Sequence, residues 1–333
     1  MNINYTNLAE NNTHNIGNHE LALAVLEGLS GKPKKLNSSF FYDQKGSDLF
    51  QQITELDEYY LTGCEFDILT KEKENIAKKL AKDPFNLIEL GSGDGRKTFV
   101  LLDEFINQSL DFKYIPIDIS KDAMETLFSK LKNNYDENLI VEGLVGDYFD
   151  GIRTLVKQTK RKNFVLFLGS SIGNFNHAEA EKFLRQLWYV LNPGDYVLIG
   201  FDLKKDLNIL HSAYNDTKGV TSEFNLNLLS RLNETLDADF DRSSFMHQGV
   251  YNVQLGAMES YIISTKKQAV KIGDLDKEFT FKPWEGIHTE YSYKYTQTEI
   301  EMLAKDTGYT VINHLFDSKR YFIDSVWEVC KND

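Results

Sequence analysis

From residue 60 to residue 204 the chain alternates short apolar runs with amphipathic stretches of helical period, the order that a parallel sheet flanked by helices requires. Strands are predicted at 86–90, 113–118, 140–145, 163–168 and 195–202, and helices at 97–108, 121–133, 149–157 and 178–191. The predicted architecture is α/β with a doubly wound sheet. A helix at 297–307 and strands near 309–315 and 321–330 read as an antiparallel hairpin closing that sheet. The pattern changes between residues 205 and 295, where two helical segments (206–215 and 222–235) precede strands around 248–264, 267–271, 277–281 and 288–296. This is a meander rather than a βαβ unit, so an inserted α+β domain is expected. The segment before residue 60, with a helix at 19–28, is expected to pack with the insert, because the first sheet strand starts only at 86. The predicted domains are 61–204 plus 296–333, and 15–60 plus 205–295, with an active site at their junction.

Composition is that of an ordinary globular enzyme: 333 residues, 41% hydrophobic, 26% charged, and no apolar run long enough to span a membrane. The start, MNINYTNLAENNTH, has no basic region followed by an apolar core, so neither a secretory signal nor an anchor is expected, and the segment is expected to fray. Cys64 and Cys330 are far apart in sequence and suggest neither a disulfide framework nor a metal site, which fits a cytoplasmic protein. A formal net charge of −13 argues against nucleic acid as a partner, since phosphate neutralisation needs a basic face. The basic stretch Lys157 to Asn163 reads as a solvated loop. A small-molecule substrate and a monomer are expected.

The strand Asn86–Leu90 runs into Gly91-Ser92-Gly93-Asp94-Gly95 and then a helix. Glycine at these points permits positive φ and close backbone approach to a ligand, and the helix offers its N-terminal N–H groups. A dinucleotide fingerprint would need a glycine where Arg96 stands. The G-x-G-x-G form resembles the first motif of S-adenosylmethionine-dependent methyltransferases, in which the acid before the turn, here Glu89, faces the methionine end of the cofactor. Asp118 ends the next strand, 23 residues after Gly95, and is placed to accept ribose hydroxyls. Asp147 and Tyr148 follow a third strand and could hold the adenine amino group and face. Alternatively, Asp118 caps the helix that Ser120 opens and Asp147 starts a turn. Convergence of three strand ends favours the cofactor reading.

Four motifs carry a resemblance that covers nearly the whole chain. They are FYDQKGSDLF with ITELDEYY (41–50 and 53–60), ELGSGDGRKT (89–98), FLGSSIGNF (167–175) and IHTEYS (287–292). Together they resemble the histidine-specific methyltransferase family, which has a class I Rossmann-like sheet. Its members transfer methyl groups from S-adenosylmethionine to the α-amino group of histidine, up to the trimethylated betaine hercynine of ergothioneine biosynthesis, and release S-adenosylhomocysteine. A sister group methylates a ring nitrogen of thiohistidine in ovothiol biosynthesis.

The resemblance implies that the first domain binds S-adenosylmethionine through Glu89, Gly91, Ser92, Gly93, Gly95, Lys97, Asp118, Asp147 and Tyr148. It implies that Gly169 and Asn174 hold the substrate amine, that Tyr59 and Tyr214 bind its carboxylate, and that Tyr42 packs near the imidazole. An amide and a carbonyl suit a neutral amine, whereas a carboxylate there would stabilise the ammonium form that has no lone pair. Asn174 could instead cap the following helix. Glu290 and Ser292 alternate on one strand, so both point to one side and can grip the two imidazole nitrogens, with Met258 lining the pocket beside them. The glycine-turn form Gly93-Asp94-Gly95 and Tyr60-Leu61-Thr62 are similar to the methyltransferase domain of ovothiol synthases, which leaves ring methylation open. The chain lacks the long amino-terminal portion for iron-dependent sulfur insertion in those enzymes, so a methyltransferase alone is expected. A tryptophan N-methyltransferase and a non-catalytic S-adenosylmethionine-binding paralogue are the remaining alternatives.

Overall fold

The structure is a computed structural model that describes residues 2–7, 14–135, 139–146, 148–156 and 161–331. In chain order its elements begin with β1 (Asn2–Asn7), α1 (His14–Ser30), β2 (Lys34–Lys35), α2 (Gln44–Thr54), α3 (Tyr60–Leu80), β3 (Phe85–Leu90) and α4 (Arg96–Asn107). They continue with β4 (Phe112–Asp118), α5 (Lys121–Asn134), β5 (Ile140–Val145), α6 (Tyr148–Val156), β6 (Lys162–Phe167), α7 (His177–Val190) and β7 (Tyr196–Asp202). Then come α8 (Leu207–Tyr214), α9 (Val220–Leu236), β8 (Phe245–Asn252), β9 (Ala257–Ser264), β10 (Gln268–Ile272), β11 (Lys277–Phe281) and β12 (Gly286–Tyr293). The chain closes with α10 (Gln297–Asp306), β13 (Tyr309–Phe316) and β14 (Phe322–Val329). These elements form two compact units, one from β1, Leu61–Lys204 and Tyr295 onward, the other from α1 to Tyr60 and Lys205–Lys294.

The first unit is built on an eight-stranded sheet of order β1-β5-β4-β3-β6-β7-β14-β13. Strands β1 and β3 to β7 run parallel, β14 pairs antiparallel with β7, and β13 pairs antiparallel with β14. All six positions of β3 are buried, as helices covering both faces of a parallel sheet require. The winding direction reverses between β3 and β6, so the carboxyl ends of these neighbours form the crevice where ligands of such sheets bind. The turns there are Gly91–Gly95 and Leu168–Asn174.

The amino-terminal segment departs from the sequence expectation. Residues 2–7 do not fray but pair with β5 in parallel register, Asn2 opposite Ile140 and Asn7 opposite Val145. The sheet therefore gains a strand before residue 86. Polar Asn and Thr positions mask it in the sequence, and an edge strand tolerates them because one side meets no partner.

At the opposite ends of the strands a buried polar network ties β3, β6 and β7 together. The Asn86 amide donates to Asn163 Oδ1 at 3.0 Å. Asn163 in turn donates through its backbone N–H and its side-chain amide to Asp195, at 2.9 and 2.8 Å. Lys162 and Asn163 thus start a strand rather than end a loop; residues 157–160 of the basic stretch lie outside the described residues.

The second unit is organised around α9. Phe224, Leu228, Leu229, Leu232 and Leu236 are buried against Val25 and Leu29 of α1, Phe41, Ile53 of α2, and the apolar faces of the strands. The strands do not form one meander. Strand β12 passes over the separate β10–β11 hairpin to pair with β9, giving a four-stranded sheet β2-β12-β9-β8. Apolar alternation alone does not distinguish consecutive from skipped pairing, since both bury the same face.

Asn163→Ala removes the acceptor of the Asn86 amide and the side-chain donor to Asp195, which keeps the backbone N–H groups of residues 163 and 192. We expect a loss of about 1–3 kcal/mol in denaturant unfolding, with Michaelis constants unchanged because the network lies at the other end of the strands.

Candidate active site

The turn after β3 is held open by backbone conformation. Gly91, Gly93 and Gly95 have φ of 73°, 50° and 72°, the left-handed region that glycine alone adopts without strain. A Cβ on Gly91 would lie 2.9 Å from the Tyr148 hydroxyl, and one on Gly95 would collide with Leu127, whereas a Cβ on Gly93 would meet open space. The Asp118 carboxylate accepts the N–H of Gly93 at 3.3 Å and of Ser120 at 2.9 Å. Burial pushes its pKa up despite those donors. The helix cap of α5 is Ser120, which accepts from Ala123 N–H at 3.2 Å, so Asp118 is not the cap. Among the described residues Ser92 Oγ is buried without a hydrogen-bond partner, and Ile119 beside Asp118 is 78% exposed, an apolar surface for a planar ring.

Glu89 lies beneath this turn rather than in it. It is buried, accepts from Thr98 Oγ1 at 2.5 Å and from the Tyr114 hydroxyl, and is pushed up to about 7 by desolvation. Lys97 is likewise engaged within the protein. Its ammonium pairs with the buried Glu65 carboxylate, and although burial opposes the charge, Glu65 and then Asp324 and Glu89 hold its pKa above the usual lysine value. Asp147 lies outside the described residues.

Glu65 on α3 also accepts the N–H of Gly169, at 2.7 and 3.0 Å to its two oxygens. Gly169 has φ of 76° and Ser170 has φ of 57°, two successive left-handed residues that turn the chain sharply after β6. Gly200 on β7 leaves the room that Glu65 occupies, since a Cβ there would strike its carboxylate. The tight turn Ser171–Asn174 follows. The cap of α7 is Asn176, in a reciprocal capping box with Glu179, so Asn174 is not spent on the helix. Among the described residues its amide makes no hydrogen bond.

In the second unit the expected substrate residues gather on β12 and its neighbours. A bulge between His288 and Glu290 resets the alternation, after which Ser292 stands opposite Met258 on β9. Met258 is buried with Leu210, Ala213 and Tyr214 of α8, and Tyr59 packs against that cluster. Tyr42 is half exposed, in edge contact with Phe50 and Phe224, and Phe50 in turn touches Tyr59. Gly249 on β8 lets the end of α8 approach, with Tyr214 Cβ only 3.0 Å from where its own Cβ would be. Glu290 is half-buried, makes no hydrogen bond among the described residues, and is pushed up to about 7 by desolvation against the attraction of Lys294.

Sequence reasoning missed Lys294. It is buried, and its ammonium donates to the Tyr214 hydroxyl at 2.8 Å and to Ser292 Oγ at 2.7 Å. The signal was available, since Lys294 is the next same-side position after Glu290 and Ser292 in the alternation. Tyr214 donates to Ser292 Oγ at 2.7 Å, so its proton is turned to that serine.

Residues 21–329 match the model of the family described as histidine-specific methyltransferase, SAM-dependent. The chain belongs to this family. It is 36% identical to histidine N-alpha-methyltransferase of Mycobacterium tuberculosis (strain CDC 1551 / Oshkosh) over 84% of this chain and 85% of that protein. The enzyme of that name from Mycolicibacterium smegmatis is 37% identical over 85% of this chain and 87% of its own length. Ergothioneine biosynthesis protein 1 of Neurospora crassa is 34% identical over 83% of this chain but 31% of its own. The chain is therefore an S-adenosylmethionine-dependent N-methyltransferase with a small-molecule substrate, and no described helix is long and apolar enough to cross a membrane. The glycine turn fits that cofactor: three left-handed glycines clear the backbone, Asp118 presents a carboxylate, and Ser92 has a buried hydroxyl with no partner among the described residues.

Two consequences are measurable. Asp118→Ala should weaken S-adenosylmethionine binding by about 1–3 kcal/mol in calorimetry, the loss expected if this half-buried carboxylate accepts the ribose hydroxyls. Asp324 is fully buried beside Glu65 and among the described residues neither oxygen has a donor, so burial and the neighbouring carboxylate hold its proton on, against the pull of Lys97. Its folded pKa lies above the unfolded one, so the unfolded chain releases this proton first and stability falls as pH rises between the two. Asp324→Asn should flatten the decline of unfolding free energy as pH rises above the ordinary aspartate range, by at most about 1.4 kcal/mol per pH unit in denaturant unfolding.

Proposed function

We propose that this protein methylates the α-amino group of L-histidine, up to the trimethylated betaine hercynine, in a reducing cytoplasm that suits its exposed Cys330 thiol. The observation that carries the reading is Glu290, a half-buried carboxylate with no partner among the described residues, two positions from a hydroxyl on the same side of β12. A carboxylate accepts an imidazole N–H and a hydroxyl meets the other ring nitrogen, whereas an indole has one N–H and no basic nitrogen. Indole would leave the pair partly unsatisfied, which disfavours tryptophan.

When bound, S-adenosylmethionine supplies an electrophilic methyl group. The chain's own residues then have three tasks. Gly91, Gly93, Gly95, Ser92 and Asp118 hold the cofactor, with Tyr148 against the turn and Glu89 supporting it from below. Asn174 and Gly169 accept hydrogen bonds from the amine, and because neither is a carboxylate they do not favour the unreactive ammonium. Tyr59 lies on the same aromatic cluster as Tyr214 and is assigned to the substrate carboxylate, Met258 to the ring's edge, and Tyr42 to the outer aromatic wall.

The test is incubation with S-adenosylmethionine and histidine, thiohistidine, tryptophan or histamine, with products read by mass and fragment ions. Histidine should gain methyl groups on its α-nitrogen and tryptophan none; ring methylation, or preference for tryptophan, overturns the proposal. The pH dependence follows from Glu290. The bound ring needs its carboxylate charged, so below about pH 7 deprotonation is added to the cost of binding. KM for histidine should rise toward about tenfold per pH unit as pH falls through 7, and Glu290→Gln should remove that component at a cost in KM of about 10-fold or more.

A further inference from the structure

The geometry points to Lys294 as a positioning residue that makes Ser292 a one-way hydrogen-bond donor and so selects a ring with an acceptor nitrogen; this rests on the proposed histidine reading. Ser292 Oγ accepts from the Lys294 ammonium at 2.7 Å and from the Tyr214 hydroxyl at 2.7 Å. A serine hydroxyl has two lone pairs and one proton. With both lone pairs engaged, only the proton is left for a ligand.

Several features fix this polarity. An ammonium has donors and no acceptor, so it can never reverse its bond to Ser292. Lys294 also donates to Tyr214 Oη at 2.8 Å and sits over the Tyr214 ring at 4.8 Å from the centroid, which orients the phenol toward the serine. The Tyr214 backbone is held from behind by His247 Nε2, 3.0 Å from its carbonyl oxygen, and by Asn215, which bonds the Gly249 N–H and carbonyl. Lys294 itself is buried, and its backbone N–H donates to the Gly256 carbonyl at 2.9 Å. Burying an ammonium is costly unless it is paired, and Lys294 is met by the two hydroxyls of Tyr214 and Ser292.

The consequence is a division of labour across one strand face. Glu290 accepts and Ser292 donates, so the clamp takes the neutral imidazole with its N–H toward Glu290 and its lone pair toward Ser292. A ring that keeps the N–H but lacks the second nitrogen would leave the Ser292 proton unmet in a buried place.

The test compares histidine with β-(2-pyrrolyl)alanine, which has the ring N–H and no acceptor nitrogen, in the full-length wild type, Lys294→Met and Lys294→Arg. Wild type should prefer histidine by about 100-fold or more in kcat/KM. Lys294→Met frees one lone pair of Ser292, so the hydroxyl can turn and accept; preference should fall below about 10-fold, with KM for histidine raised and KM for S-adenosylmethionine within about 2-fold. Lys294→Arg retains a donor-only cation and should restore most of the preference, and it serves as the test if the methionine variant does not fold. An equal loss on both substrates or an unchanged preference in Lys294→Met, or a preference in Lys294→Arg that falls below about 10-fold, overturns the role of Lys294. Failure of the wild type to methylate histidine overturns the histidine reading itself.

Discussion

A carboxylate removed from water must be met by donors or keep its proton, and the first unit is assembled around that requirement. Glu65 is the centre of it. Its two oxygens take the Lys97 ammonium and the Gly169 N–H, which joins α3, α4 and the end of β6 at one point. Asp324 on β14, beside it and without donors among the described residues, is held neutral by burial and by Glu65. Glu89 is met by two hydroxyls. The loop that carries Gly169 and Asn174 is thus pinned by a buried carboxylate whose ammonium partner, Lys97, is only partly buried.

The same accounting separates groups that hold the fold from groups left for chemistry. Glu65 and Glu89 are satisfied within the protein, as buried acids of structural origin are. Among the described residues Glu290 and Asn174 make no side-chain hydrogen bond, although each is half-buried. Asn176, two residues on, shows what an asparagine does when its task is structural, since it closes a complete capping box. The contrast between neighbouring residues of one type is better evidence of a ligand role than the identity of either.

How much of this was legible in the sequence depends on the range of the interaction. Strands β3 to β7 and helices α4 to α7 are local periodicities, and their expected limits differ from the observed ones by one residue or so. The glycine turn and Asp118 were legible because positive φ and a strand-end acid leave a local mark. Edge strand β1 was not, because its partner β5 is more than a hundred residues away and its polar positions imitate a loop. Nor was the passage of β12 over β10 and β11, since pairing partners are decided by the whole core. The Lys97–Glu65 pair spans 32 positions and could not be read from either residue alone.

Lys294 shows where the two kinds of information meet. Strand alternation places it on the side of Glu290 and Ser292, yet a lysine at a strand end is ordinarily a solvated group, and only the packing of α8 against β8 turns it into a buried one. That packing depends on Gly249, whose missing side chain admits Tyr214, and on the bulge that sets which residues of β12 share a side. A charge buried this way is a poor source of stability, because its desolvation offsets most of what its hydrogen bonds return. What it does supply is direction: a group that can only donate fixes the polarity of every hydroxyl bonded to it, and so determines which edge of a ligand the site can meet.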